Sequence, residues 1–336
     1  MRFIPVAQLE PGMITAKAIY DNSLLVTAAN QTLTPKMISA VRRGRLQGLF
    51  IYDEYSDYEH LQVIVNDELR YRMVKELKDF NIDQVIYLTN QIVDSILQKK
   101  SDLLIDLNAL AIYDNSTYQH SIDVTTLATT CGVGLGLSVQ NLQYLALSAA
   151  LHDIGKQAIP KAILNKEDAL TDEEMELMRK HPKIGYEMLY NNNNISSYVR
   201  SAILSHHENW DGSGYPNQLK GTAIPIFARI IHVADVYDAL IKKRSYKEAY
   251  SYNDSIEYLM AHCSDMFDIE CVKSFIKYLV VYPVGSTVML SNGKQAHVIK
   301  NRNTSVTRPV VMTEDKTVLD LAYDLDYLNV SITGFA

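Results

Sequence analysis

Asn141-Leu142-Gln143-Tyr144-Leu145-Ala146-Leu147-Ser148-Ala149-Ala150-Leu151-His152-Asp153-Ile154-Gly155-Lys156 is the stretch on which the fold of this chain turns. Through residue 151 its apolar side chains recur three and four apart, the spacing of one helix face. The helix then runs into an adjacent histidine and aspartate. Neighbouring residues on a helix point about 100° apart, so both can line one cavity only near a helix end. Gly155 reads as the left-handed residue that closes the helix. Lys156 falls one turn from the pair, close enough to meet a phosphate.

Outward from this stretch the same period recurs over residues 61–78, 82–99, 117–133, 172–190, 196–206, 225–242 and 251–262. Thr171 followed by Glu174 is a capping box at the start of one of these helices. On either side the pattern shortens. Residues 13–19, 24–27 and 49–52 read as strands between turn signals, with a short helix after Thr34-Pro35. Beyond Pro283, residues 284–290 and 295–300 flank Ser291-Asn292-Gly293 as a hairpin, and 308–313, 317–321 and 329–333 are further strand candidates. The expected architecture is mainly α. A small mixed α/β module (1–60) and a helical connector (61–107) precede a helical bundle core (108–279), and a β-rich segment (280–336) follows it.

The chain has 336 residues, 47% hydrophobic and 21% charged, which suits a globular protein of two or three domains. A net charge of −7 argues against a DNA or RNA polymer as partner. Cys131, Cys263 and Cys271 follow no metal or disulfide spacing, and no apolar run suffices for a secretory signal or membrane span. The expectation is a cytoplasmic protein with no membrane partner.

Of nine histidines, five lie in the helical region beside acids: His120, His152, His181, His206 and His207, with Asp153 and Asp235. Imidazole and carboxylate suit Fe, Mn, Zn or Ni, and a carboxylate can bridge two cations. Seven donors exceed what one metal with open positions needs and suit two, the arrangement that clamps a phosphorus during in-line displacement. His60, His232, His262 and His297 read as structural or surface residues.

The segment His206-His207-Glu208-Asn209-Trp210-Asp211-Gly212-Ser213-Gly214-Tyr215-Pro216 leaves a helix for a tight loop, with Gly212 and Gly214 granting backbone angles that other residues avoid. Such a loop holds Tyr215 over a ligand or packs it in a plain turn, and Trp210 fits the core better than a base stack. Arg244 and Lys247, three apart after Asp235, form either a solvated cluster or a phosphate contact; their place near the acid favours phosphate.

Together these residues resemble the HD-GYP family, a branch of the HD superfamily of metal-dependent phosphohydrolases. The resemblance covers residues 108–279 and rests on His120-Ser121, on His152-Asp153 with Gly155-Lys156, and on Lys180-His181-Pro182. His206-His207, Gly214-Tyr215-Pro216 and Asp235 complete it. It implies hydrolysis of a cyclic dinucleotide, cyclic di-GMP above all, to linear pGpG or GMP, with two divalent metal ions, Fe or Mn, as cofactors. By the same resemblance His120, His152, Asp153 and Asp235 hold one ion, His181, His206 and His207 the other, and Asp153 bridges them. Lys156, Arg244 and Lys247 match phosphate contacts, and Tyr215 the ligand-facing loop. Members with a third metal carry a glutamate four residues before the first histidine; Ser116 stands there, which implies two metals. Asp114 and Asp238 are weakly supported proton donors, and Ser245-Tyr246 departs from the family's proline-tyrosine. The expected catalytic pair is Asp153 and Lys156. The alternatives are a cyclic-dinucleotide-binding signalling module with little hydrolysis, and a mononucleotide phosphohydrolase. The flanking modules are candidates for regulating access or for mediating a homodimer.

Overall fold

The computed structural model describes residues 2–21, 24–43, 48–52, 64–100, 103–105, 117–166, 168–242, 250, 252–302 and 304–335. Two compact units divide the chain. One comprises residues 64–101 and 115–276, the other residues 1–63, 102–114 and 277–336.

In the second of these units, β1 (Arg2–Pro5), β2 (Ile14–Thr15), β3 (Ile19–Asp21), β4 (Leu24–Thr27), α1 (Pro35–Arg43) and β5 (Gly48–Tyr52) follow in order. Antiparallel β1-β5-β2 form one sheet and β3-β4 a separate pair. The strand expected over 13–19 is thus two short ones. Between them the Ala16 amide still donates to the Phe50 carbonyl, and the Thr15 hydroxyl turns to the Ala28 carbonyl at 2.8 Å. Ile4, Leu9, Leu33, Ile38, Val41, Leu49 and Ile51 make the core of this module.

The helical unit opens with α2 (Asp67–Lys78). Asn66 caps it, accepting from the Leu69 amide at 2.8 Å and so satisfying a donor the first turn leaves unpaired. In α3 (Ile82–Gln98), Val85, Leu88, Ile92, Val93 and Ile96 are fully buried. Each such side chain stabilises by about 1.5–3 kcal/mol. The next helix, α4 (Thr117–Gly134), is buried continuously from Ser121 to Val133. A helix enclosed on all sides has no polar face to show. Its Thr125 and Thr126 hydroxyls donate to carbonyls four residues back, Ser121 and Ile122, so their burial leaves no donor stranded.

Ser138 caps α5 (Val139–Leu151), which lies along α3 and α4. A 3-10 turn (Ile154–Ala158), α6 (Lys161–Leu164), α7 (Asp172–Met178), α8 (His181–Met188), α9 (Ser197–Ser205), α10 (Ile226–Ile241), α11 (Tyr252–Ala261) and α12 (Ile269–Ile276) follow. The capping box at Thr171 and Glu174 is formed. The single helix expected over 172–190 is broken at Arg179-Lys180. Pro182 has no N–H to continue a helix and is tolerated only in a first turn, so α8 starts afresh around it. That break places His181 at a helix junction.

The remaining strands, β6 (Thr287–Leu290), β7 (Gln295–Lys300), β8 (Val310–Thr313), β9 (Val318–Asp320) and β10 (Ile332–Phe335), form an antiparallel sheet in the order β10-β6-β7-β8-β9. The expected hairpin joins β6 to β7, with Gly293 at φ 81° in its turn. Mainly helical, with a small mixed N-terminal part and a C-terminal sheet, the architecture is the one the periodicity implied. Among the described residues no helix is long and apolar enough to cross a membrane.

Candidate metal centre

Three histidines reach the same place by the same local device. His152 closes α5, His206 closes α9, and His181 stands three residues beyond the last residue of α7. The last carbonyls of a helix have no partner within it. In each case Nδ1 lies 2.7 Å from the carbonyl three residues back, that of Ala149, Met178 and Ile203. A carbonyl only accepts, so Nδ1–H donates, and Nε2 is left with its lone pair facing the site. That is the tautomer a metal takes, fixed by the hydrogen bond on the ring's other side.

His120 is held differently. It sits in the first turns of α4, and its Nδ1 lies 2.6 Å from Oδ2 of Asp238 on α10. Its Nε2 lies 3.0 Å from Asp235 Oδ1 and 3.9 Å from Asp153 Oδ2. The other oxygen of Asp235, Oδ2, is 4.0 Å from His207 Nδ1.

These side chains form two adjoining groups that could each hold a metal ion: His120, His152 and Asp153, and His181, His206 and His207. Within each group the ligand atoms all lie within 4.8 Å of one another. Asp153 stands between them. Its Oδ2 is 3.5 Å from His152 Nε2, and its Oδ1 is 3.3 Å from His181 Nε2. His152 Nε2 and Asp153 Oδ1 are buried without a hydrogen-bond partner. Orphaned acceptors at that depth cost free energy unless something electropositive meets them, and a divalent cation does. The donor set of imidazoles and ionised carboxylates fits such an ion.

The electrostatics divide along the same line. Burial and the neighbouring imidazoles hold His206 and His207 well below the usual histidine range, and burial lowers His152. Burial pushes His120 down too, but its hydrogen bonds to Asp235 and Asp238 prevail and raise it to about 9. Asp153 and Asp235 resist the upward push of burial. Lys156 with His152 holds the first, and His120 the second, well below the carboxylate range.

Around the cluster the structure revises several expectations. Gly155 lies in the 3-10 turn and not in a left-handed cap. It is there because a Cβ would meet the His181 carbonyl oxygen at 2.0 Å and the Gly185 amide at 2.6 Å. Gly212 does take positive φ, 89°, whereas Gly214 serves close approach: a Cβ would sit 2.2 Å from the Asn209 amide nitrogen. Lys156 Nζ lies 2.5 Å from Asp153 Oδ2 with its side chain about a quarter exposed (24%), at the rim of the site.

Tyr215 stacks on His207, ring centroids 4.8 Å apart at 25°, and precedes a cis bond to Pro216. The exposed Arg179 guanidinium lies 5.7 Å over the opposite partner in that stack, the Tyr215 ring. Trp210 is half-buried under the Arg229 guanidinium. His232 is buried against Asn209 Oδ1, His262 pairs with Asp265 near the surface, and His297 lies in β7. His60, Asp114, Ser116, Arg244, Ser245, Tyr246 and Lys247 lie outside the described residues.

Sequence reading missed three supports, Glu208, Lys242 and Asp123, and named a fourth, Asp238, only as a weakly supported proton donor. Glu208, 2% exposed, accepts from the Asn217 and Leu219 amides at 2.7 and 3.0 Å and so anchors the loop that carries Tyr215. Its polar neighbours in the chain, His206, His207, Asn209 and Asp211, give no hint of burial. Asp238 is the buried partner of His120, ionised because Lys242 offsets the burial that would neutralise it. Lys242 and Asp123 complete that arrangement, 2.6 Å apart. Only the i,i+4 spacing of Asp238 and Lys242 signalled any of this.

A helical bundle that sets three histidines on one side of a shared aspartate and two on the other defines the class of metal-binding HD folds. The HD domain family matches residues 91–271, more than half of the chain. The chain belongs to the HD domain family, in its HD-GYP branch. It is similar to the cyclic di-GMP phosphodiesterase response regulator RpfG of Xanthomonas campestris, 46% identical over 144 residues, 43% of this chain and 38% of that protein. It is also similar to the cyclic di-GMP phosphodiesterase PA4108 of Pseudomonas aeruginosa, 37% identical over 224 residues, 67% of this chain and 54% of the relative. The chain thus spans about half the length, or less, of these curated relatives. Among solved structures it shares its fold with Bd1817, an HDG"Y"P protein of Bdellovibrio bacteriovorus. The TM-score is 0.54 at 17% identity, over 82% of this chain and 97% of that one.

Proposed function

We propose that this chain is a cytoplasmic metal-dependent phosphodiesterase that hydrolyses a cyclic dinucleotide, cyclic di-GMP before others, to linear pGpG or GMP. We assign its site two divalent ions, Fe or Mn, and residues 108–279 as the domain that carries it. One observation bears most of this reading: Asp153 presents Oδ2 to the His120–His152 group and Oδ1 to the His181–His206–His207 group. A shared carboxylate between two donor sets is the geometry that keeps two ions close enough to act on one phosphate. The names of the relatives supply the substrate class.

The ions, when bound, would activate water for attack at phosphorus and offset the charge that develops there. The chain's own groups orient the rest. His152, His181 and His206 are oriented by helix-end carbonyls that accept from Nδ1–H, so their rings need no rearrangement to ligate. Lys156 stands at the rim, where its ammonium can pass from Asp153 to a phosphate oxygen. Burial raises the Tyr215 phenol above its ordinary range, so at neutral pH it donates a hydrogen bond and does not serve as a base. Arg244 and Lys247 are proposed as further phosphate contacts.

The test is turnover of cyclic di-GMP by the purified chain with manganese, or with ferrous iron under anaerobic conditions, products separated by chromatography. Hydrolysis by wild type and its loss in Asp153→Ala supports the reading. Full activity in that variant refutes it, and tight binding with no product over hours favours a signalling module instead.

A further inference from the structure

The proposal that follows rests on the reading of the cluster as a metal centre. His120 is the imidazole in it whose Nδ1 is hydrogen-bonded to a side chain, and that side chain belongs to a longer buried chain of charges. Asp238 offers a single oxygen, Oδ2, to both His120 Nδ1 at 2.6 Å and Lys242 Nζ at 2.8 Å. Lys242 Nζ also lies 2.6 Å from Asp123 Oδ2. The other Asp123 oxygen, Oδ1, accepts from Arg70 Nη1 at 2.7 Å. The signs alternate from Arg70 to Asp238, and the side chains of Arg70, Asp123, Lys242 and Asp238 are 3%, 0%, 7% and 0% exposed.

Four buried charges are a poor device for stability, since apolar residues of similar volume often hold a core as well or better. Their arrangement has a geometric use instead. Arg70 Nη1 bonds both Gln119 Oε1, at 3.0 Å, and Asp123, and these residues stand on either side of His120 in α4. Lys242, which closes α10, ties the far carboxylate of α4 to Asp238 one turn back on its own helix. Both helices that flank His120 are thereby clamped, and the oxygen that orients its ring is fixed in place.

We propose that Arg70, Asp123 and Lys242 are positioning residues for the metal centre: through Asp238 they hold the His120 imidazole in the orientation that ligates, and so set the affinity of one half of the site. Ligand-orienting partners of this kind typically change metal affinity by about 10–100-fold when removed.

The experiment is a titration of chelator-treated protein with Co(II), read by its visible absorption, and with Mn(II), beside thermal melting of each metal-free variant. Lys242→Met is expected to weaken one of the two ions by about 10–100-fold and to leave the other as in wild type. Arg70→Met, at the far end of the charge relay and in hydrogen-bond contact with no proposed ligand, is expected to weaken the same ion by a smaller factor while folding normally. It carries the test alone if Lys242→Met does not fold. Unchanged binding of both ions, or equal weakening of both in step with a lowered melting temperature, overturns the relay as a positioning device. Wild type that binds no ion at all overturns the metal centre itself, and the relay with it.

Discussion

The two halves of the candidate metal centre solve one problem in opposite ways. In the His181–His206–His207 half, two imidazoles are fixed by backbone carbonyls three residues away, so helix ends alone set their tautomers. In the other half His152 is held in the same way, but the orienting partner of His120 is a carboxylate 118 residues distant in the chain. The first half is all imidazole, with His206 and His207 neutral at pH 7. The second is rich in carboxylate, and its His120 holds a proton up to about pH 9. Local sequence builds a rigid, neutral half; tertiary packing builds a charged one that can be tuned from a distance.

The harshest way to break the comparison is at the residue the halves share. Asp153→Asn is expected to lose both ions and to lower hydrolysis by at least about a thousandfold, because the bridging charge is gone while the shape remains. Metal content of the purified variant by elemental analysis checks it. Retention of one ion would show the halves to be independent. Next in size, His206→Ala and His120→Ala are each expected to bring binding down to a single ion, each emptying a different half. Titration of each variant with Co(II) gives that count.

pH separates the halves without mutation. An ion entering beside His120 must displace a proton held until pH passes about 9, so its affinity is expected to rise about tenfold per unit between pH 7 and pH 9. The ion beside His206 and His207 meets neutral imidazoles and shows no such slope. Chelator competition at three pH values tests this. In metal-free protein the sign reverses. The raised His120 value stabilises fully below pH 6.5, and that contribution is lost as pH rises through about 9, which thermal melts across the range would record. The smallest effect belongs to Gly155→Ala. The added methyl cannot coexist with the His181 carbonyl, so α8 must shift. A loss of about 1–3 kcal/mol in unfolding free energy is expected, with weaker binding in the imidazole half.

Much of the site was legible because its chemistry is written in local signals. His152 and His206 end apolar periods of 3.6 residues, and adjacent donors at a helix end are rarely accidental. Where a local rule had two explanations, sequence chose wrongly. Gly155 looked like a left-handed cap because that is a common reason for glycine after a helix, whereas the reason here is a backbone 26 residues later. Residues 172–190 read as one helix because their period continues across Arg179-Lys180. Only Pro182, weighed as a first-turn residue, explains the break that aims His181 inward.

By itself the sequence determined the helical core, the capping box at Thr171 and Glu174, the candidate donors and the loop around Tyr215. Each follows from periodicity or from a residue type's own chemistry, over spans of a few positions. Tertiary structure alone decided that Asp153 faces both groups, that Glu208 anchors the loop, and that Asp238 is buried against His120. Those are contacts between helices far apart in the chain. No pattern along one strand of sequence encodes the sub-ångström placement of a buried oxygen, which emerges only when several helices pack and leave it a single position.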